Sequence, residues 1–469
     1  MTCSLTVVEE RASEAARRSW RLRLANFVLP FMEPPTNRPR TASYGVNGSA
    51  TPAIATVPPV LQGVRGLNNL GNTCFMNTVL QVLLHCPPFM HFFLGDHHNR
   101  FACLARRNES AAAASAATAY EVGGPGDTTP PPARRPCLAC EMDALVTQCF
   151  SGKTAPYSPH AFLHAMWCTA EYFAGYEQQD AHEFLIAGLA SIYAGLAAHE
   201  GPARPLTPLD SLKRPPSALP RSFRANDLQR VFTGVLRSDV TCLQCHGKST
   251  KYEDFQDISL DLSRLSGAGG ATDDDGSGCG GASGPPTPGG GYGYHTSLAA
   301  CLRSFTRAER LSFNERCWCS KCGALQDSAK QLSVHRLPNV LVFHLKRFKH
   351  SAHSKQASTK IDSFVEFPLH SLNMRPHTSA YVCSGGGGTG GKQPAVVAST
   401  AVEPSAEQLY DLFGVVVHHG TMQSGHYTNY VRNQADWFHC DDALVTPASP
   451  AEVRSSIGYL LFYQQKKCS

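Results

Sequence analysis

This chain has little net charge, with 42 lysines and arginines against 37 aspartates and glutamates. Over 469 residues the formal balance is only +5, which argues against a dedicated nucleic-acid surface and leaves room only for a local basic patch. No uninterrupted apolar run is long enough to span a bilayer, so no membrane partner is expected. No secretory h-region opens the sequence either. Arg11, Arg17, Arg18, Arg21 and Arg23 give residues 1–28 a faintly transit-like look, but Glu9, Glu10 and Glu14 oppose that reading. The eighteen cysteines are therefore expected as reduced thiols or metal ligands in a nuclear or cytosolic setting rather than as disulfides. Residues 1–60 contain only Cys3 and read as a flexible lead-in. Internal repeats are also lacking.

What is present is apolar and locally ordered. A hydrophobic fraction of 42% can bury a sizeable core in one large domain with appendages. Phe75, Met76, Val79, Leu80, Val82, Leu83 and Leu84 recur at helical spacing until Pro87-Pro88 stop them. Gly71 permits a sharp turn, and Asn72 and Thr73 are good N-cap residues. Cys74 is thus expected in the first helical turn, where free N–H groups and the helix dipole favour a thiolate, the nucleophilic form. Asn69, on the approaching loop, has an amide able to donate to an oxyanion. An isolated cysteine is more often a core residue; the neighbours of Cys74, and a histidine far downstream, reverse those odds.

That histidine sits in a hairpin pattern. Residues 425–432 alternate as a strand, Asn433–Asp436 read as a turn, and residues 437–442 form a second strand. Positions 426 and 441 have their midpoint inside that turn, so His426 and Asp441 are expected as near cross-strand neighbours. An aspartate there fixes the imidazole tautomer and stabilises the imidazolium. Register is not fixed to one residue, and Asp442 competes with Asp441 for this role. An ordinary edge hairpin with a carboxylate pair is the plainer alternative.

The cysteines cluster. Cys242-Leu-Gln-Cys245 and Cys319-Ser-Lys-Cys322 are two CxxC knuckles beside expected strands, Val231–Val240 and Ala329–His335. Paired knuckles bind zinc tetrahedrally through four thiolates. The Gly-, Ser-, Pro- and Asp-rich stretch between them can loop out without spoiling the site. Cys317 and His246 are adjacent alternatives that spacing does not eliminate. Cys137-Leu-Ala-Cys140, with Cys103 and either His97 or His98 upstream, supplies the donors of a Cys₃His zinc site. The stretches near 105–135, 201–221, 264–294 and 385–405 read as low-complexity insertions.

Residues 66–77, 175–185, 337–348, 420–432 and 437–442, in that order, resemble the successive signature boxes of ubiquitin-specific proteases, particularly the SAGA-type members. The resemblance covers about residues 61–465. It implies an α+β fold, a papain-like cysteine protease with palm, thumb and zinc-binding fingers. Box by box, it makes Cys74 the nucleophile, His426 the general base, Asp441 its orienting residue and Asn69 the oxyanion donor, with Asp442 helping to polarise the site. It places structural zinc on Cys242, Cys245, Cys319 and Cys322. For the second site it favours His98 over His97, beside Cys103, Cys137 and Cys140, although the insertion between Cys103 and Cys137 departs from the family spacing. Tyr176–Leu196 reads as a helix whose Gln178, Asp180 and Glu183 would hold the ubiquitin tail. Leu337–Phe348 reads as a strand with His344, Lys346 and Arg347 at exposed positions.

The implied activity is hydrolysis after the C-terminal glycine of ubiquitin on conjugated proteins. By resemblance alone, partners extend to monoubiquitinated histones of the H2 class and to SAGA-type module subunits, with a nuclear, transcription-regulating role. No N-terminal zinc-finger domain of the SAGA type is expected, because residues 1–60 lack its cysteines. Two other readings differ in kind: a ubiquitin-binding scaffold with little turnover, and a papain-like protease for a ubiquitin-like modifier.

Overall fold

The computed structural model describes residues 64–95, 97–101, 103, 136–200, 225–262, 296–349, 359–383, 408–421 and 424–466. The expected lead-in and all four expected insertions lie outside these residues. The described residues fall into two compact units, residues 64–231 with 431–447, and residues 232–430 with 448–466.

The first unit is built around α1 (Cys74–Leu84), whose eleven residues are all buried. A helix buried all round belongs inside a helical layer rather than on its surface. Two of its polar side chains are satisfied by backbone carbonyls: Thr78 Oγ1 donates to Phe75 O at 3.1 Å and Gln81 Nε2 to Arg65 O at 2.7 Å. Pro87 and Pro88 occupy the first turn of α2 (Pro87–Leu94), where a missing N–H is harmless. There follow α3 (Leu138–Cys149), α4 (His160–Thr169) and α5 (Ala181–Glu200). Helix α5 packs on α1 and α3, and α4 packs on α3. Phe184 of α5 meets Phe75 and Phe173 edge-on, at centroid separations of 5.4 and 5.7 Å. Such pairs add about 0.5–1.5 kcal/mol each to the stabilisation from buried area.

Helix α5 begins later than its sequence pattern suggests. The expected start at Tyr176 moves to Ala181, because the Asp180 carboxylate accepts from His182 N at 2.7 Å and Glu183 N at 3.2 Å and so caps the helix. Gln178 and Asp180 therefore lie on the approaching loop, and only Glu183 is helical. Over Ala181–Ala198 this helix is long and apolar enough to cross a membrane. Its Phe184, Leu185, Leu189, Ile192 and Leu196 are instead buried among the other helices of the unit, as in a core helix.

The second unit is mainly sheet. Lys248–Phe255, Gly234–Cys242, Ser328–Arg336 and Glu309–Leu311 form an antiparallel four-stranded sheet in that order. The first strand starts at Gly234, not Val231, since Val231 and Phe232 close the helix Ala225–Phe232. Asp239 in this sheet accepts from Thr250 Oγ1 at 2.6 Å, Lys248 Nζ at 2.8 Å and Arg237 Nε at 3.0 Å. A second sheet carries Leu409–Gly420, Gly458–Gln465, Val340–Lys346 and Ile258–Asp261 as neighbours, the last pair parallel. Its inner residues Val340, Leu341, Val342, Phe343, Leu461 and Phe462 are at most 1% exposed.

Arg347 corrects a sequence expectation. Expected at an exposed strand position, it is 1% exposed. Its Nε donates to Gly458 O at 2.7 Å and its Nη1 to Ile361 O and Ser363 O at 2.8 and 2.9 Å. The guanidinium thus gathers carbonyls from three segments, and burial brings its pKa down to about 10. The strand breaks there, into Val340–Lys346 and Phe348–Lys349.

Candidate active site and metal centres

The loop before α1 is fixed by its backbone. Tyr157 N donates to Gly66 O at 2.9 Å, Asn68 N to Tyr157 O at 2.8 Å, and Leu67 N to Asp442 O at 2.9 Å. A Cβ on Gly66 would collide with Ala443 O, so only glycine lets the two segments pass this closely. Gly71 at φ 103° and Asn72 at φ 54° turn the chain into the helix. Asn72 is anchored in this conformation by Nδ2 donating to Tyr176 O at 2.7 Å. Thr73 is the N-cap residue, as the sequence predicts, but its side chain makes no capping bond. Its hydroxyl accepts from Leu70 N at 2.8 Å and reaches Asn69 Oδ1 at 3.3 Å. Cys74 is the first helical residue and is 3% exposed.

Asn69 is held on both sides of its amide. Oδ1 accepts from Gly71 N at 3.0 Å and Thr73 N at 3.1 Å, while Nδ2 donates to Asp442 Oδ2 at 2.9 Å. The other oxygen of that carboxylate, Oδ1, accepts from Asn77 Nδ2 at 2.8 Å. Asp442 has φ 49°, a left-handed conformation uncommon for a non-glycine residue and often found at functional sites. The structure therefore brings Asn69, Asp442 and the first turns of α1 together. Sequence reasoning passed over Asn77, although as a polar residue in an apolar helix, three positions after Cys74, it carried a signal.

Asp441 is the last residue of the strand Asp436–Asp441, on which α1 packs. A two-residue turn, Gln434-Ala435, with Gln434 at φ 58°, links this strand to Gly425–Asn433. The turn is shorter than the expected Asn433–Asp436. His426 is the second residue of the earlier strand and is half-buried, while its neighbour Tyr427 is buried against the His418 ring at 4.6 Å. A Cβ on Gly425 would collide with that same His418 ring.

Both sequence-predicted donor sets assemble. The donor atoms of Cys242, Cys245, Cys319 and Cys322 lie within 4.8 Å of one another, and so do those of His98, Cys103, Cys137 and Cys140. Sulfurs bound to one zinc at about 2.3 Å are separated by roughly 4 Å; Cys245 Sγ and Cys319 Sγ are 3.5 Å apart. The backbone N–H of Cys322, then the Cys245 thiol, brings the Cys319 thiol down to about 7. Cys317 and His246 stand outside the quartet, with Cys317 Sγ 3.8 Å from Glu315 O.

In the second set, all four residues are buried, and His98 Nε2 lies 3.3 Å from Cys140 Sγ and 3.9 Å from Cys137 Sγ. Hydrogen bonding with Cys140 lowers the Cys137 pKa to about 4 against the opposing effect of burial, and His98 adds to the lowering. The solitary Cys149, by contrast, is pushed up to about 12 by burial. His97 stands apart, 5.5 Å from the Phe92 ring. None of the described cysteines is in a disulfide. Both sets have the donor chemistry and convergence of a metal centre.

A family model described as ubiquitin carboxyl-terminal hydrolase matches residues 65–463. The chain is 36% identical over 475 residues to ubiquitin carboxyl-terminal hydrolase 22 of Homo sapiens, covering 97% of this chain and 75% of that one. With ubiquitin carboxyl-terminal hydrolase 27 of Homo sapiens it shares 37% identity over 420 residues, covering 86% and 79%. Among solved structures it resembles the SAGA Ubp8/Sgf11/Sus1/Sgf73 DUB module bound to ubiquitin aldehyde, with TM-score 0.58, 26% identity, and 87% and 71% coverage. A second structure of that module, with a substituted Ubp8 and bound to monoubiquitin, gives TM-score 0.56, 27% identity and the same coverage. The chain, a mixed helix and sheet protein of this fold, belongs to the ubiquitin carboxyl-terminal hydrolase family of cysteine peptidases.

Proposed function

We propose that residues 61–465 act as one catalytic domain that removes ubiquitin from conjugated proteins, with Cys74 as nucleophile. The observation that carries this reading is the held amide of Asn69, whose Oδ1 accepts from Thr73 N at the start of α1 and whose Nδ2 donates to Asp442. The Cys74 thiolate attacks the carbonyl of the terminal glycine of ubiquitin. Asn69 and the Cys74 backbone N–H stabilise the oxyanion of the tetrahedral intermediate. Protonated His426 gives its proton to the leaving lysine amine as the C–N bond breaks, and Asp441 keeps the imidazole oriented. Water then attacks the thioester, giving up a proton to His426, and Cys74 is regenerated. Asp442 keeps the Asn69 amide aligned through both steps.

Cys242, Cys245, Cys319 and Cys322 are proposed to hold one zinc ion, and His98, Cys103, Cys137 and Cys140 a second. Both ions would be structural, cross-linking segments far apart in sequence and supplying folding free energy. Likeness to Ubp8 in its SAGA module supports partner subunits like Sgf11, Sus1 and Sgf73 and a nuclear setting, and monoubiquitinated histones are proposed as substrates from the family resemblance alone. Hydrolysis of a ubiquitin C-terminal reporter tests the enzymatic reading. Wild-type protein, with module subunits if required, is expected to turn over and Cys74→Ala to bind ubiquitin without turnover. A wild type without turnover under both conditions would favour the scaffold alternative, and faster cleavage of a ubiquitin-like reporter would overturn the substrate assignment.

A further inference from the structure

We infer that Asn77 is a positioning residue for the oxyanion site, acting through Asp442; the inference rests on the reading of Asn69 as the oxyanion donor. Asn77 lies one turn beyond Cys74 on α1 and is 1% exposed. Its Nδ2 faces Leu67 O and Asn68 O, each at 3.3 Å, and Asp442 Oδ1 at 2.8 Å. Each of these is an acceptor, two carbonyls and a carboxylate, so the amide nitrogen must be the atom that faces them. Asn77 Oδ1 is buried with no hydrogen-bond partner. An unpaired buried oxygen is a cost that an apolar side chain would avoid. The amide is therefore retained for its N–H groups, and the shorter of its contacts goes to Asp442.

The consequence follows along the hydrogen bonds. Asp442 uses one oxygen to receive Asn77 and the other to receive Asn69. With both oxygens engaged, the carboxylate cannot rotate and the Asn69 amide keeps one orientation. Without the Asn77 donor, the carboxylate loses one of its two fixed points, and the aim of Asn69 loosens with it. Asn77 also ties α1 to the loop carrying Asn69 through the Leu67 and Asn68 carbonyls. A displaced oxyanion donor is felt when charge develops on the carbonyl oxygen, so the loss should fall on kcat rather than KM.

The test compares Asn77→Asp, which keeps the shape and removes the donor, and Asn77→Ser, too short to reach Asp442, in the full chain. Hydrolysis of a ubiquitin C-terminal reporter is measured beside alkylation of Cys74 by iodoacetamide, a displacement that develops no oxyanion. The expected result is a fall in kcat of roughly 10²-fold, the scale of one lost oxyanion-hole donor, with KM and the alkylation rate little changed. On an Asp442→Ala background, Asn77→Ser should then cost little more, because the two residues act in series. Unchanged kcat, a parallel fall in alkylation, or fully additive losses would each overturn the inference. A wild type that alkylates but hydrolyses no ubiquitin reporter contradicts the functional reading, and the positioning role with it. Turnover by wild type that Asn77→Asp retains contradicts the positioning role alone.

Discussion

Asn69 and Asp442, 373 positions apart, are joined by a 2.9 Å hydrogen bond from Nδ2 to Oδ2. That bond ties the loop preceding the nucleophile helix to the segment following the strand Asp436–Asp441. It also accounts for the left-handed backbone of Asp442, φ 49°, which brings the carboxylate to the loop while the residue's carbonyl accepts from Leu67 N.

Replacing Asn69 by alanine removes the proposed oxyanion donor and leaves Asp442 without one of its two amide partners. A loss of roughly 10²–10³ in kcat is expected, read with a ubiquitin C-terminal reporter at saturating substrate. Ubiquitin affinity should change little. A weakened KM at unchanged kcat would mean that Asn69 serves substrate binding instead.

Gly66→Ala tests the close passage of the two segments. The added methyl meets the Ala443 carbonyl, and the backbone must move to admit it, at a cost of about 1–3 kcal/mol. Thermal unfolding should register a lower midpoint, and activity should fall because Ala443 adjoins Asp442. An unchanged melting temperature would show that the segments have room to separate.

The metal centres are tested by counting. Metal analysis of purified protein is expected to give about two zinc ions per chain. Cys245→Ser and Cys140→Ser should each lose about one, independently, since the two sets share no ligand. A wild type with about one ion, unaffected by Cys140→Ser, would leave the His98 set as a buried thiol cluster without metal.

Acid sensitivity should have a contribution from His85. Burial lowers its pKa from 6.5 to about 4, although its ring nitrogen contacts Gln81 O at 2.7 Å. The folded state thus resists a proton that the unfolded chain accepts. Stability from this group is fully present above about 6.5 and is lost as pH falls from there towards about 4, at up to ~1.4 kcal/mol per unit. His85→Leu should flatten this part of the pH profile, measured as the midpoint of urea unfolding between neutral pH and pH about 5. Identical slopes in the two proteins would contradict the assignment.

Much of the site was legible because its signals are local. The apolar spacing of α1, the glycine and N-cap residues before it and the CxxC knuckles each act over a few residues. What escaped depends on distant partners. Arg347 looks like an exposed strand cation until the carbonyls of Ile361, Ser363 and Gly458 surround it. Asp180 looks helical until its carboxylate is found capping the helix it precedes. Asn77 looks like an incidental polar residue, since its partner Asp442 lies 365 positions away. His98, by contrast, is favoured over His97 by the family resemblance, and its ring lies 3.3 Å from Cys140 Sγ.

The most direct test of the account is covalent capture by a ubiquitin carrying an electrophile in place of its C-terminal carboxylate. Intact-mass analysis should show a single added ubiquitin, peptide mapping should place it on Cys74, and Cys74→Ala should remain unmodified. Modification at another of the eighteen cysteines, or capture by a ubiquitin-like probe in preference to ubiquitin, would contradict it.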